Sequence, residues 1–333
     1  MQDELLYQMQ NAFPMTDRPF KVLADEMNTT EAEVLATVQR LKDEKILRQT
    51  SAIFDTKRLG YTSSLVAFKV AEDRIDEAAA IINAHPGVSH NYLRNHGYNI
   101  WFTMAVAPDS VLGLERTIGV LQEKTDAEDA IILPTLKMFK ISVKMDTTGK
   151  RAKKEKVKKA ANKPLDLTPE HIAVIKELQR DIPVISEPFK EAVDRLGMDY
   201  DRFFAVAHEL KDAGVMRRFA TILNHRKAGF GANAMSVWSV PEADGERIGK
   251  QLAEFSAVSH CYLRPSYPNW PYNLFAMVHA KTQDACDELI DEMAAETGLT
   301  EYGKLYSTRE FKKQRLVYFD EAFGAWEKEH AKA

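Results

Sequence analysis

Val88-Ser89-His90-Asn91-Tyr92-Leu93-Arg94 returns 170 residues later as Val258-Ser259-His260-Cys261-Tyr262-Leu263-Arg264. The match extends outward from this pair. Toward the N-terminus, at an offset of 169, Pro14 falls on Pro183, Pro19 on Pro188 and Phe20-Lys21 on Phe189-Lys190. Leu41-Lys42-Asp43 falls on Leu210-Lys211-Asp212, Arg48 on Arg217, Ile53 on Ile222 and Gly60 on Gly229. Toward the C-terminus, after an insertion of four residues, Tyr98-Asn99 falls on Tyr272-Asn273. The chain is two copies of one module, fused and diverged.

Within a copy, apolar spacing predicts short helices over Asp3–Ala12, Pro19–Asn28 and, capped by Thr29-Thr30-Glu31, a third to about Glu44. Three such helices joined by tight turns make a helix-turn-helix, and Ile46–Ala52 follows as a wing strand. Strand, helix, strand, strand, helix, strand then run over Tyr61–Val70, Ile75–Ala84, Val88–Arg94, Tyr98–Val106, Ser110–Glu123 and Ala130–Met138. That order is a ferredoxin-like unit. The expected domains are 1–56 (helix-turn-helix), 57–147 (ferredoxin-like), 148–166 (basic linker), 167–226 (helix-turn-helix) and 227–333 (ferredoxin-like). The expected class is α+β, a tandem repeat of winged helix-turn-helix plus βαββαβ unit. This arrangement resembles the Lrp/AsnC family of regulators, whose βαββαβ (RAM) domains pair subunits and bind an effector between them. The resemblance implies an intramolecular pseudo-dimer.

Composition narrows the classes. The chain has 333 residues, 45% hydrophobic and 28% charged, so a packed globular protein is expected rather than disorder. No apolar run is long enough for a membrane helix, the acidic start is not a secretory signal, and the cytoplasm is the default location. Two cysteines, Cys261 and Cys286, exclude a disulfide scaffold and a thiolate zinc site. Lys150–Lys163 carries +7 within a net charge of −4, so the rest sums to about −11. With one branched aliphatic residue, Val157, that stretch reads as a solvated tether, the alternative being a nucleic-acid tail. The candidate recognition helices open with Thr30-Glu31-Ala32-Glu33 and Asp199-Tyr200-Asp201. Carboxylates there repel phosphate and argue against specific DNA binding.

The unusual chemistry lies on the central hairpins. Strand alternation puts His90, Tyr92 and Arg94 on one face, Asn91 and Leu93 on the other, and both copies keep His-x-Tyr-x-Arg. Such a face is either an ordinary exposed one or holds a ligand; its persistence in both copies favors the ligand. A second polar run, Arg217-Arg218-Phe219 to His225-Arg226-Lys227, follows the wing of copy two, where copy one has Thr56 in place of His225. Its bland alternative is a solvated wing. His171 and His208 read as core or surface residues, His85 before Pro86 as structural, and Cys261 as a buried thiol pointing away from His260.

These strings resemble the siroheme decarboxylases of the alternative heme pathway, with their AhbA and AhbB subunits, and the related Nir proteins of nitrite-reductase heme synthesis. Ser51-Ala52-Ile53-Phe54-Asp55-Thr56 and His85-Pro86-Gly87-Val88-Ser89-His90-Asn91-Tyr92 look like AhbA. His225-Arg226-Lys227-Ala228-Gly229-Phe230, Val258–Pro265 and Trp270-Pro271-Tyr272-Asn273-Leu274-Phe275 look like AhbB. The departure is covalent fusion of what are usually two chains. The resemblance implies removal of carbon dioxide from two acetates of siroheme, giving 12,18-didecarboxysiroheme, with no cofactor beyond the substrate's own iron. A pseudo-heterodimer follows, with siroheme and its product as partners; further homo-oligomerization is left open. The alternatives are service to the nitrite-reductase heme pathway and a ligand-responsive regulator.

A macrocycle edged with carboxylates calls for aromatic walls and guanidinium groups. The binding candidates are Arg48, His90, Tyr92, Arg94, Tyr98, Arg217, Arg218, Lys227, Tyr262, Tyr267, Trp270 and Tyr272. Decarboxylation must be followed by proton delivery, which suits histidine. The catalytic candidates are His225, His260, His96 and Arg264, with His90 a counterpart of His260; a histidine ligating the substrate iron is the alternative role. No GxGxxG run supports a nucleotide cofactor.

Overall fold

The structure, a computed structural model, describes residues 2–11, 13–141, 165–223 and 232–331. The linker run Lys150–Lys163, and with it His225 and Lys227, lies outside the described residues. The chain forms two compact units, one of Met1–Tyr61 with Ala160–Ala228 and one of Thr62–Lys159 with Gly229–Ala333.

The first unit holds both helix-turn-helix copies. Copy one supplies α1 (Gln2–Asn11), α2 (Pro19–Glu26), α3 (Glu31–Asp43) and β1 (Leu47–Phe54). Copy two supplies α6 (Pro169–Leu178), α7 (Lys190–Leu196), α8 (Tyr200–Asp212) and β7 (Met216–Leu223). Acidic residues open α3 and α8 because they cap them. The Thr30 hydroxyl and Glu33 carboxylate form a reciprocal capping box, and the Asp199 carboxylate accepts from the Arg202 N–H. The wing strands pair antiparallel with each other, Thr50 opposite Thr221, Ser51 opposite Ala220 and Ala52 opposite Phe219. Ser51 and Ala220 are equivalent positions of the two copies, so the ladder is centered as a local twofold requires. The Phe219 ring, between Phe13 at 5.5 Å and Phe189 at 5.6 Å, ties the helices of both copies into one core.

The second unit carries β2 (Thr62–Lys69), α4 (Ile75–Ala84), β3 (Val88–Arg94), β4 (Ile100–Val106), α5 (Gly113–Thr125), β5 (Asp129–Leu133) and β6 (Lys137–Ile141) from copy one. Copy two gives β8 (Ala232–Trp238), α9 (Gly245–Glu254), β9 (Val258–Leu263), β10 (Leu274–Ala280), α10 (Gln283–Thr297), β11 (Tyr302–Lys313) and a closing α11 (Ala322–His330). The nine strands run in the order β5-β2-β4-β3-β11-β8-β10-β9-β6. Here the structure corrects the expected single last strand of copy one, which is two strands. Pro134 between them has no N–H for a ladder. The break serves an exchange: β5 stays with β2 while β6 crosses to β9 of copy two. Unbroken β11 does the reciprocal, pairing with β8 through Tyr302–Tyr306 and with β3 through Ser307–Lys313. Matching lysines pin each crossing strand. Lys312 donates to the carbonyl of Asn83 (2.8 Å), and Lys140 to that of Phe255 (2.9 Å).

Among the described residues, three apolar clusters hold this unit. Two lie between each sheet half and its own helices. The third joins the halves: Ala67, Tyr98, Trp101, Ile131 and Leu133 meet Met235, Val237, Trp270, Phe275 and Leu305.

His85 is structural, as its place before Pro86 suggests. It is 1% exposed, its ring lies 4.3 Å from Trp326 of α11, and its Nδ1 accepts the Gly87 N–H. Burial first, then Lys312 and His330, press its pKa from 6.5 down to about 3. The unfolded chain therefore takes up this proton before the folded one does. Stability attached to neutral His85 is complete above pH about 6.5 and drains away as pH falls toward 3, by at most about 4–5 kcal/mol. Thermal unfolding of His85→Gln across that window should show a flatter acid limb than the parent; an identical limb would refute this assignment.

Candidate functional site

The alternation predicted for the hairpin strands is present. Asn91 turns to the helix layer, its amide donating to Asn83 (3.0 Å), and Cys261 sits in the helix-side core with burial pushing its thiol up to about 12. His90, Tyr92 and Arg94 therefore share the face that β4 presents through Trp101, and His260, Tyr262 and Arg264 the face that β10 presents through Phe275. The two ladders are near copies. The imidazole of His90 lies 6.2 Å from Tyr92 at 31°, and that of His260 lies 6.1 Å from Tyr262 at 35°. Beyond each tyrosine comes a guanidinium, 5.8 Å from the ring centroid for Arg94 and 4.9 Å for Arg264. Each ladder descends from a half-buried imidazole to a buried cation.

Those cations are the unusual feature. Arg94 is 7% and Arg264 8% exposed. Neither has a carboxylate partner among the described residues. Arg94 donates to the Leu305 carbonyl (3.0 Å) and Arg264 to that of Leu133, so each copy's arginine reaches a strand of the other copy. Both Nε groups are buried without a hydrogen-bond partner. Burial pulls each guanidinium from 12.5 down to about 10. A desolvated cation held by carbonyls alone is costly, and a carboxylate ligand would relieve that cost.

The remaining candidates divide. At the hairpin tip, Tyr98 donates to Asp129 (2.6 Å) and accepts from Asn269. Burial, then Asp129, pushes its phenol up to about 12. His96 accepts the Tyr98 N–H at Nδ1 (3.0 Å) and lies 5.2 Å from the Trp270 ring, and burial lowers its pKa. Tyr267 donates to the Ile132 carbonyl, and Tyr272 packs at 5.1 Å on Trp270. Trp270 itself is 0% exposed, a core residue between the sheet halves. Arg48, Arg217 and Arg218 belong to the helix-turn-helix unit. There Arg217 is paired with Asp55 (2.8 Å), Arg48 is exposed, and burial lowers the pKa of Arg218.

One residue escaped the sequence reading. His279 on β10 places Nε2 2.7 Å from the Ser259 hydroxyl, which lies 2.7 Å from Nδ1 of His260. The position equivalent to His279 in copy one is Ala105; both residues donate their N–H to the loop before the hairpin, at 3.0 Å. The residue therefore lies outside the pattern that both copies share. The signal available was a histidine at the end of an otherwise apolar strand.

Two families match the chain. An AsnC-like ligand binding domain covers residues 58–140 and 227–312, and a siroheme decarboxylase NirDL-like HTH domain covers residues 2–48 and 172–217. The chain is similar to a siroheme decarboxylase of Hydrogenobacter thermophilus, 41% identical over 327 residues, 98% of this chain and 97% of that protein. It is similar to the siroheme decarboxylase NirDL subunit of Paracoccus denitrificans, 33% identical over 316 residues, 93% of this chain and 94% of that one. Among solved structures it resembles the siroheme decarboxylase NirDL in co-complex with an iron-uroporphyrin III analogue. The TM-score is 0.80 at 36% identity, with 99% of this chain and 98% of that one covered.

Proposed function

The chain belongs to the siroheme decarboxylase family, and on that premise we propose that it converts two acetate side chains of siroheme to methyl groups with release of two carbon dioxide molecules. The observation that carries this reading is the pair of buried arginines, one per copy, each with an orphaned Nε and no carboxylate partner among the described residues. A polycarboxylate macrocycle supplies the missing acceptors, and a neighboring structure holds an iron-uroporphyrin analogue. The acidic caps of α3 and α8 put carboxylates where a DNA-reading helix presents donors, which favors the enzyme over a regulator. No helix among the described residues is long and apolar enough to cross a membrane.

In this reading Arg94 and Arg264 orient substrate carboxylates, and Tyr92 and Tyr262 wall the approach to them. Loss of carbon dioxide leaves an electron pair on the former methylene carbon, which the conjugated ring delocalizes. Each event consumes one proton, so two enter for two carbon dioxide molecules released. His260 and His90, half-buried at the open end of each ladder, are placed to deliver them. Withdrawal from water makes the carboxylate easier to lose, and the buried end of the ladder provides that. Anaerobic incubation with siroheme, followed by mass spectrometry, should show loss of two carbon dioxide units. An unchanged substrate mass with folded protein would refute the proposal.

A further inference from the structure

Resting on the decarboxylase reading, we propose that His279 is a positioning and proton-supplying residue that recharges His260 through the Ser259 hydroxyl, making copy two the better proton-delivery site. The geometry begins with a bulge. His260 pairs with Met277 and Val258 with Val278, so Ser259 has no opposite residue and the alternation breaks there. Its hydroxyl is thereby brought within 2.7 Å of both Nδ1 of His260 and Nε2 of His279.

A serine hydroxyl has one proton. Between two ring nitrogens it donates to one and accepts from the other, which sets the two tautomers in opposite senses. With His279 donating from Nε2, Ser259 donates to Nδ1 of His260, and the His260 proton resides on Nε2. The transfer then balances. Protonated His279 gives its Nε2 proton to the Ser259 oxygen, Ser259 gives its own to His260 Nδ1, and His260 Nε2 gives its proton to the substrate carbanion. The carbon–hydrogen bond forms, His279 ends neutral with its proton on Nδ1, and His260 ends neutral with its proton on Nδ1, donating to Ser259 until exchange with solvent returns that proton to Nε2 and His260 accepts from Ser259 again. Solvent reprotonates His279 before the second acetate reacts.

Copy one has the same bulge without the second imidazole. There Ser89 lies 3.0 Å from Nδ1 of His90 and 2.7 Å from the Thr103 hydroxyl, and an alcohol supplies no proton at neutral pH. The strands packed against the copy-two relay place these described groups beside it. In register, His260 lies beside Ile141 and Met277, and His279 beside Asn233. Tyr262 and then Arg264 follow on the same face, while Lys140, beside Cys261, is directed to the Phe255 carbonyl.

The test compares the parent with Ser259→Ala, His279→Gln and the double variant, using siroheme as the probe. Single-turnover carbon dioxide release is followed anaerobically across the neutral pH range, with siroheme affinity read from its absorption band. The parent rate should fall on the alkaline side, where the chain has no proton to pass on. Each single variant should lose about a hundredfold, the lower end of general-acid contributions, and also lose that alkaline fall while keeping its siroheme affinity. The double variant should be no slower than the singles. Variants with the parent's rate and pH profile would overturn the relay alone. So would a rate that drops only in step with affinity or melting temperature, as a purely structural role predicts. A parent that leaves siroheme unaltered would overturn the decarboxylase reading itself, and the relay with it.

Discussion

Arg264→Met and Arg94→Met are expected to leave the chain folded, with a melting temperature at or above the parent's, while siroheme affinity falls by about a hundredfold or more. Both effects follow from the same burial. Each guanidinium is held from 12.5 down to about 10, a cost of roughly 3 kcal/mol for keeping the charge in the interior. Because the folded-state value is the depressed one, that cost is present at every pH below about 10, and relief by methionine should be constant across neutral pH. Against it stands the lost bond to the Leu305 or Leu133 carbonyl, worth about 1.5–3 kcal/mol for a charged donor. Replacing a buried charge by an apolar side chain of similar length is commonly neutral or stabilizing. Binding behaves differently. A carboxylate held by a guanidinium through two charge-assisted bonds is worth about 3 kcal/mol, or two orders of magnitude in dissociation constant. Thermal unfolding and optical titration with siroheme, run on the same preparations, separate the two effects. Unchanged affinity would remove the arginines from the site, and a collapse in melting temperature would make them structural.

The division between what sequence showed and what it hid follows the range of each interaction. The repeat, the helix-turn-helix and the βαββαβ order rest on local patterning, and the hairpin face followed from strand alternation because that period is fixed by the backbone. Tertiary choices were hidden. Nothing local says that β1 pairs with β7, or that β6 and the second half of β11 trade places. Pro134 was visible, and it was the one local sign that the last strand of copy one divides.

Two site residues have packing roles that their sequence position did not show. Trp270 was expected as an aromatic wall and Tyr98 as a hydrogen-bond donor because aromatic and phenolic groups on a hairpin suit a macrocycle edged with carboxylates. In the structure Trp270 fills the space between the sheet halves, and the Tyr98 hydroxyl is engaged by Asp129 and Asn269. The arginines gained weight instead. Their type was legible, but their isolation from carboxylates depends on which strand each guanidinium reaches. His279 was hidden because copy one has Ala105 at the equivalent position, so the residue lies outside what the two copies share.

That asymmetry sets the largest expected effect on turnover. His260→Ala should lower kcat by about 10²–10⁴, the range for removal of a positioned general acid, with KM near the parent's. His90→Ala should lower it less. The argument turns on supply rather than on contact. Both imidazoles occupy matching places on matching ladders, so geometry alone would assign them equal weight. Each delivery leaves the donor short of a proton, however, and among the described residues a second imidazole stands in hydrogen-bonded reach of His260, through Ser259, where Ser89 beside His90 leads to the Thr103 alcohol. Removing His260 deletes the donor together with the outlet of the Ser259–His279 chain, whereas removing His90 leaves that chain intact. Steady-state kinetics of the two variants at one pH, with product masses at early times, distinguish the cases. Equal losses would mean that the ladders work as equals and that the relay does not set the rate. A His90→Ala variant slower than His260→Ala would reverse the assignment of the stronger site to copy one.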